Sequence, residues 1–188
     1  MTPLVLASAS PRRKALLSLL VQEFEVCVAD VDETPLNGEQ PQDLAARLAQ
    51  SKATAVYVQS ESNCRVLGGD TVVAVDDIAL GKPADVAEAR GMLTMLSGRS
   101  HQVFSAVAIA DQSGVRHLVS ETTVVFRELT PATIENYCAS SDPYDKAGGY
   151  GIQGEAGSFV VRLDGSYSGV VGLPLWHTHR LLFQETSQ

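Results

Sequence analysis

The sequence predicts an α/β protein in which a mixed, twisted β-sheet is flanked by helices. Short apolar strands alternate with helical segments in the first half of the chain, which is typical of parallel strand pairs. Long strand segments follow one another across tight turns in the second half, which favours antiparallel pairing. The chain has 188 residues and no repeat, low-complexity tract or linker, so one domain over residues 1–188 is expected.

In the first half, a short apolar strand at 4–7 leads into a helix at 11–20. The helix is predicted to begin there because Ser10 suits the N-cap and a proline occupies the first helical position. Alternating and β-branched residues predict a second strand at 24–29. Apolar residues then recur at helical spacing over 43–59, which predicts a longer helix.

In the second half, strands dominate and a glycine-rich loop at 145–157 stands near the end. The predicted elements are a central strand at 65–77, its hairpin return at 78–83, a helix at 85–96, two long strands at 101–111 and 115–129, a short helix at 130–140, a strand at 158–163 and a helix at 174–183.

Composition excludes several classes of protein. The net charge is -8, which argues against a broad nucleic-acid footprint or an anionic membrane surface as partner. The sequence has neither a signal-peptide pattern nor an apolar run long enough to span a membrane. Cys27, Cys64 and Cys138 are odd in number and lack a CxxC pair, so free thiols and a cytoplasmic location are expected.

Two arginines stand where the first helix begins. Arg12 and Arg13 face the positive end of the helix dipole, an arrangement that is unfavourable unless an anion offsets it. With the hydroxyls of Ser8 and Ser10 and the free backbone N–H groups, they form a candidate phosphate cradle. The alternative is a surface helix with two solvated arginines.

Lys52 and Asp70 are polar residues in apolar surroundings. Lys52 lies within the apolar stripe of its helix, and Asp70 interrupts an apolar strand directly after Gly68 and Gly69. A carboxylate there would be buried, which is unfavourable unless it meets a cation or a metal. The alternatives are a lysine that reaches solvent past the helix edge and an aspartate in a turn.

Glu33, in an acidic loop, and Lys82, in a GKP segment, are weak signals when taken alone. Together with Asp70, Lys52 and the two arginines they make a set of two carboxylates and four cations. Such a set suits a polyphosphate held with a divalent cation, Mg²⁺ or Mn²⁺, bound by Glu33 and Asp70.

Four histidines and two large aromatic residues are assigned no chemistry. His177 and His179 point to different sides of a helix, and His101 and His117 lie in strands without partners at zinc spacing. Trp176 and Tyr137 are interpreted as aromatic residues of the core or of an interface.

Five segments, SASPRR, DVDET, GGDT, GKP and DKAGGYGIQG, occur in this order along nearly the whole chain. Together they resemble the Maf family of nucleoside triphosphate pyrophosphatases. The resemblance implies a mixed sheet in an elongated, two-lobed α/β body with a central cleft, similar to inosine triphosphatases. It also implies hydrolysis of a nucleoside triphosphate to the monophosphate and pyrophosphate with a divalent metal, and a homodimer.

The resemblance assigns roles residue by residue. Asp70 matches the catalytic proton acceptor, and Glu33, Lys52 and Lys82 match other charged residues of the active site. Arg13 and Ser8 match the phosphate-side motif. The positions associated with the choice of base are Arg12, Thr71 and Gln153.

The combination of SPRR, GDT and GIQG resembles the branch that acts on dTTP and UTP. The amide of Gln153 could read a pyrimidine edge through its donor and its acceptor. Two alternatives stay open: a nucleotide-binding regulator of cell division with little turnover, and the same chemistry on 7-methyl-GTP or inosine triphosphate.

Overall fold

A computed structural model describes residues 2–60 and 63–183, and it contains one seven-stranded sheet. The strand order is β2-β1-β3-β5-β6-β7, and β4 pairs with β3 beside this path. The strands are Leu4–Ala7 (β1), Glu25–Val26 (β2), Arg65–Val75 (β3), Ile78–Leu80 (β4), Ser100–Asp111 (β5), Gly114–Phe126 (β6) and Val160–Asp164 (β7).

Helices flank this sheet, and most of them begin where the sequence predicts. They are Pro11–Leu17 (α1), Pro41–Gln59 (α2), Val86–Leu96 (α3), Pro131–Cys138 (α4), Tyr167–Val171 (α5) and Leu175–Phe183 (α6). Ser10 and Thr130 are the N-caps of α1 and α4, each with its side chain accepting a hydrogen bond from the backbone N–H three residues later.

The sheet is mixed, which confirms the predicted fold class. β1 pairs in parallel with both β2 and β3, whereas β3, β5, β6 and β7 pair antiparallel in that order. The change from parallel to antiparallel pairing occurs on β3, which is therefore the central strand of the fold.

Successive side chains of each strand point to opposite faces of the sheet, and both faces are packed against helices. On β5, Ala106, Ala108 and Ala110 pack with the apolar side of α2, while Val107 and Ile109 pack with residues of α1 and α6. A third cluster joins the far ends of β3, β5 and β6 to α3 and α4. On β3, even-numbered residues consequently face α2 and odd-numbered residues face α1.

Several elements are shorter than predicted, among them α1 and β2. α1 ends at Leu17 rather than near residue 20, because Leu19 and Leu20 donate to the carbonyls three residues back and tighten the chain into a turn. β2 covers only Glu25–Val26 of the predicted 24–29, and Val28 beyond it is exposed.

One helix and three single-turn segments were not predicted. α5 begins after Ser166, which caps it, and ends at Gly172, whose φ of 136° is in the region that favours glycine. The three 3-10 turns are Asp142–Asp145, Ala147–Gly149 and Glu155–Phe159, and they give the glycine-rich loop a defined path. Over the described residues, every helix is too short or too polar to cross a membrane.

Candidate active site

The sheet has an opening on one edge of its central strand. β1 pairs with β3 as far as Gly68, and β4 begins to pair with the same edge at Val73. In the described part of the chain, no strand covers the edge between these two residues, while β5 pairs with the opposite edge throughout. A cleft of about 750 Å³ lies here, within the size range of small-molecule sites.

A buried lysine in this cleft contacts two carboxylates. The Nζ atom of Lys52 lies 2.7 Å from Asp70 Oδ1 and 2.5 Å from Glu33 Oε1. Lys52 is 8% exposed and Asp70 7% exposed, whereas the side chain of Glu33 is half-exposed. Lys52 therefore does not reach bulk solvent past the helix edge, and Asp70 lies within a strand rather than in a turn. Each buried charge has the opposite charge that its burial requires.

Gly68 allows this contact to form. A Cβ atom at this position would lie 2.3 Å from the carbonyl oxygen of Ala49 and 2.7 Å from the backbone nitrogen of Ala53, both on α2. Gly68 and Asp70 are two residues apart on β3 and point to the same face of the sheet. The absence of a side chain at Gly68 lets α2 come close enough for Lys52 to reach Asp70.

The loop that carries Glu33 is fixed by an arginine that the sequence analysis did not single out. Arg47 on α2 donates from Nη2 to the carbonyl oxygen of Thr34 at 3.0 Å. The same guanidinium binds both carboxylate oxygens of Glu39, at 2.6 and 2.9 Å. This hydrogen bonding lowers the pKa of Glu39 to about 2. Arg47 thus ties both ends of the segment after Glu33 to α2.

Glu33 is surrounded by positive charge. Partial burial acts to raise the pKa of its carboxyl, but the hydrogen bond from Lys52 and the charges of Lys52, Lys82 and Arg13 outweigh it, so the pKa lies below its ordinary value. Glu33 is therefore ionised at neutral pH. Lys82 lines the cleft, and within residues 2–60 and 63–183 it forms no ion pair, so its ammonium is available to a ligand.

Arg13 points inward, toward the odd-numbered face of β3. Its Nε donates to the carbonyl oxygen of Gly172 at 2.9 Å, its Nη1 to Ser8 Oγ at 3.3 Å and its Nη2 to Thr71 Oγ1 at 3.4 Å. Burial lowers the pKa of the guanidinium, and the nearby charge of Asp70 partly offsets this. The guanidinium is held rigidly, because each of its three nitrogens has an acceptor.

The two serines of the first turn hold this region together. Ser10 Oγ accepts from the backbone nitrogen of Arg13 at 3.3 Å, and Ser8 Oγ accepts from the backbone nitrogen of Ser10 at 3.2 Å. Ser10 lines the cleft, whereas Ser8 lies behind Arg13 and supports it.

The opposite wall of the cleft is the glycine-rich loop. Arg12 reaches across to it, with Nη1 at 3.0 Å from Asp145 Oδ2. Asp145 also pairs with Lys146 at 2.5 Å. Gln153 lies on the same loop and lines the cleft. Arg12 therefore joins the start of α1 to the wall that carries Gln153.

The structure brings all the predicted site residues together. Nine of them line the cleft and Ser8 contacts Arg13 behind it; the nine are Ser10, Arg12, Arg13, Glu33, Lys52, Asp70, Thr71, Lys82 and Gln153. Their individual roles stay predictions. Arg47, Asp142, Asp145 and Lys146 were not predicted. The contact of Asp145 with Arg12, 133 positions away, has no local signal in the sequence.

The histidines and cysteines take no part in the cleft. His101 is fully buried, and its Nε2 lies 2.7 Å from the hydroxyl of Tyr150. Burial lowers the pKa of His101 to about 4, so the ring is neutral at physiological pH. The described cysteines are all free, as expected. Among the described residues, no group of three or more His, Cys, Asp or Glu side chains is arranged to hold a metal ion by itself.

The charges of the cleft define what it can bind. Glu33 and Asp70 supply carboxylate oxygens on one side of Lys52, and Arg12, Arg13 and Lys82 supply cations around them. An anion with several charges, such as a polyphosphate, would meet these cations while the two carboxylates shared a divalent cation with it. The site is thus suited to phosphoryl chemistry rather than to chemistry on a neutral ligand.

Comparisons with known proteins agree with this reading. The sequence profile described as Maf-like protein matches residues 3–185. A protein of Novosphingobium aromaticivorans, named dTTP/UTP pyrophosphatase, is 52% identical over 181 residues, covering 95% of this chain and 90% of its own length. A protein of Yersinia pestis with the same name is 48% identical over 182 residues, covering 97% of this chain and 92% of its own.

Among solved structures, a nucleoside-triphosphatase described as a dITP/XTP pyrophosphatase from Mycobacterium abscessus aligns with 68% of this chain and 76% of its own. The TM-score is 0.45 and the sequence identity 18%. The profile match and the two full-length relatives are sufficient for an assignment, and the chain belongs to the Maf family.

Proposed function

We propose that this protein is a nucleoside triphosphate pyrophosphatase, which hydrolyses dTTP and UTP to the nucleoside monophosphate and pyrophosphate. The observation that carries the proposal is the buried Lys52 between Asp70 and Glu33, beside the fixed guanidinium of Arg13. Relatives named dTTP/UTP pyrophosphatase, 48% and 52% identical over nearly the whole chain, support the choice of substrate.

In this proposal the triphosphate lies along the opening in the sheet. Arg13 and Lys82 bind phosphoryl oxygens from two sides, because both line the cleft and both act electrostatically on Glu33. Lys52, which stays hydrogen-bonded to Asp70, adds a third positive charge beside them. These fixed cations stabilise the charge that develops on the phosphoryl oxygens.

The residues present fit a divalent cation that arrives with the nucleotide. Glu33 and Asp70 both place an oxygen within 2.7 Å of the same Lys52 ammonium, so the two carboxylates already converge on one positive charge. They would hold Mg²⁺ or Mn²⁺, because both ions bind carboxylate oxygens. The metal would supply Lewis-acid polarisation of the phosphoryl oxygens and orientation of the water.

Asp70 is the proposed proton acceptor. Its Oδ1 accepts from Lys52, which leaves Oδ2 to take the proton of a water molecule. The water oxygen forms a bond to the α-phosphorus, the bond from this phosphorus to the bridging oxygen breaks, and pyrophosphate leaves. The buried position of Asp70 keeps bulk water away from the carboxylate.

The base is proposed to lie against the glycine-rich loop. Gln153 offers one amide donor and one carbonyl acceptor to a pyrimidine edge. Arg12, paired with Asp145, lies between this wall and the phosphate side. Thr71 is the third residue tied to base choice. Its hydroxyl oxygen accepts from Arg13 Nη2 and lies 2.9 Å from Ser105 Oγ, so its effect on the base would act through Arg13.

The test is hydrolysis in ¹⁸O-labelled water followed by ³¹P NMR. dTTP, UTP, CTP, GTP, 7-methyl-GTP and inosine triphosphate are assayed separately with Mg²⁺ and with Mn²⁺. We expect the fastest turnover with dTTP and UTP, with the label in the monophosphate and none in pyrophosphate. The Asp70→Asn variant is the matched control, because its amide oxygen still accepts from Lys52.

Each other result has a definite meaning. Label in pyrophosphate would place the attack on the β-phosphorus and refute the proposed attack on the α-phosphorus. Fastest turnover of 7-methyl-GTP or inosine triphosphate would refute the assigned base and keep the phosphate side. Tight binding without turnover would favour a nucleotide-binding regulator.

We also propose a cytoplasmic homodimer. The three free cysteines, two of them buried, support a reducing compartment. Sedimentation of the purified protein tests the dimer, and a monomer at working concentration would refute it.

A further inference from the structure

Tyr137 is a core residue whose hydroxyl group connects two segments of the cleft wall. Its side chain is 0% exposed, and its ring packs edge-on against Phe159 with ring centroids 5.2 Å apart. The hydroxyl donates to Asp142 Oδ2 at 2.6 Å and accepts from the backbone nitrogen of Gly151 at 3.3 Å. Gly151 lies two residues before Gln153, so this hydroxyl fixes the backbone at the start of the segment that carries the amide.

The same segment is folded closely around a lysine and an aspartate. Lys146 Nζ donates to the carbonyl oxygen of Asp142 at 2.6 Å and to its Oδ1 at 3.0 Å. A Cβ atom at Gly151 would lie 2.6 Å from Lys146 Cε, and one at Gly154 would lie 3.1 Å from Asp142 Oδ2. The glycines on both sides of Gln153 therefore rest directly on the Asp142–Lys146 pair.

We propose that Tyr137 is a positioning residue, which sets Gln153 against the base through Asp142 and Gly151 and thereby contributes to the choice of base. This inference rests on the proposed function, in which Gln153 contacts the base. Tyr137 itself does not line the cleft.

The same hydrogen-bond network connects the two sides of the cleft. Lys146 pairs with Asp145 as well as with Asp142, and Asp145 pairs with Arg12 at 3.0 Å. A continuous series of hydrogen bonds thus leads from Tyr137 to the first turn of α1.

The Tyr137→Phe variant removes only the hydroxyl and keeps the ring in its aromatic contacts. It leaves the Gly151 N–H and one oxygen of Asp142 without their partner, so the segment with Gln153 loses its fixed position. We expect dTTP and UTP to bind about tenfold more weakly, because both partners are part-buried and one is charged. We expect the preference for dTTP over CTP to fall by a similar factor.

The experiment compares ligands with and without a base. Isothermal calorimetry in EDTA, which prevents turnover, measures the affinities for dTTP, CTP and inorganic tripolyphosphate. The tripolyphosphate affinity should stay unchanged in Tyr137→Phe while the dTTP affinity falls. The matched control is Tyr144→Phe, whose hydroxyl donates to the carbonyl oxygen of Cys138 at 2.7 Å rather than to Asp142.

A second variant tests the same inference if Tyr137→Phe does not fold. Gly151→Ala keeps every charge and hydroxyl, but its new Cβ must displace the stem of Lys146, and it should weaken dTTP binding in the same selective way. Equal losses for dTTP and tripolyphosphate, or no loss for either, in the variant that folds would overturn the inference. Failure of the wild-type protein to hydrolyse dTTP and UTP with metal present would instead overturn the proposed function, since the binding comparison does not depend on turnover.

Discussion

Gly68 offers the sharpest test of how the site is built. In Gly68→Ala the new Cβ would lie 2.3 Å from the Ala49 carbonyl oxygen, whereas ordinary contact begins near 3.4 Å. Because the obstructing atoms belong to the backbone of α2, the helix must move outward by roughly 1 Å. Overpacking of this kind typically costs about 1–3 kcal/mol of the free energy of unfolding.

The same displacement reaches the ion pair of Lys52 and Asp70. The contact of Lys52 Nζ with Asp70 Oδ1, now 2.7 Å, would lengthen beyond hydrogen-bond distance. Misplacement by about 1 Å at a reacting centre can reduce turnover by about 10²-fold. We therefore expect Gly68→Ala to lower both stability and kcat.

Urea unfolding gives the stability change, and the initial rate of pyrophosphate release from dTTP gives the change in kcat. The adjacent Gly69→Ala is the matched control for stability, because its Cβ would meet its nearest neighbours at 3.4 to 3.6 Å, which is ordinary contact. If Gly68→Ala unfolded at the same urea concentration as Gly69→Ala, close approach of α2 would not be what Gly68 provides.

Three further outcomes are expected. Asp70→Asn should keep its fold and lose about 10²–10⁴-fold in kcat, and near-normal turnover would remove Asp70 from the role of general base. Arg13→Ala should weaken the binding of dTTP more than that of the monophosphate, and equal losses by calorimetry would contradict its place on the phosphate side. Glu39 has a folded-state pKa of about 2, below its ordinary 4.5, so its pairing with Arg47 stabilises the fold above pH 4.5 and this contribution is lost as the pH falls toward 2. In Glu39→Gln, the decline of Tm over that range should be shallower than in the wild type.

Lys52 and Asp70 could be found in the sequence because each of them breaks a periodic pattern. Lys52 occupies a position in the apolar stripe of its helix, and Asp70 interrupts an apolar strand. Burial was one of two interpretations of each residue, the others being a lysine that reaches solvent and an aspartate in a turn. Arg13 follows a serine and a proline that fix the start of α1. In these cases local geometry alone determines the direction of the side chain.

The supporting contacts could not be found in this way. Arg12 and Asp145 are 133 positions apart in the chain, and their meeting depends on the path of the whole sheet. Tyr137 was interpreted only as an aromatic residue of the core or of an interface. Its ring is indeed buried, but nothing in the sequence indicates that its hydroxyl meets Gly151. The order of the strands could not be predicted either, because the hydrophobic periodicity of a segment identifies it as a strand but does not show which strands pair with it.

The opening beside β3 has a length that the flanking strands determine. β1 stops opposite Gly68 and β4 ends, at Leu80, opposite Val73, and five residue steps of about 3.3 Å make a window of roughly 16 Å. One further paired residue at each end would shorten it by about 7 Å without altering any charged side chain. The four-residue strand β1 ends directly before Ser8. The position of this end therefore limits the length of a ligand that can lie along the exposed edge of β3.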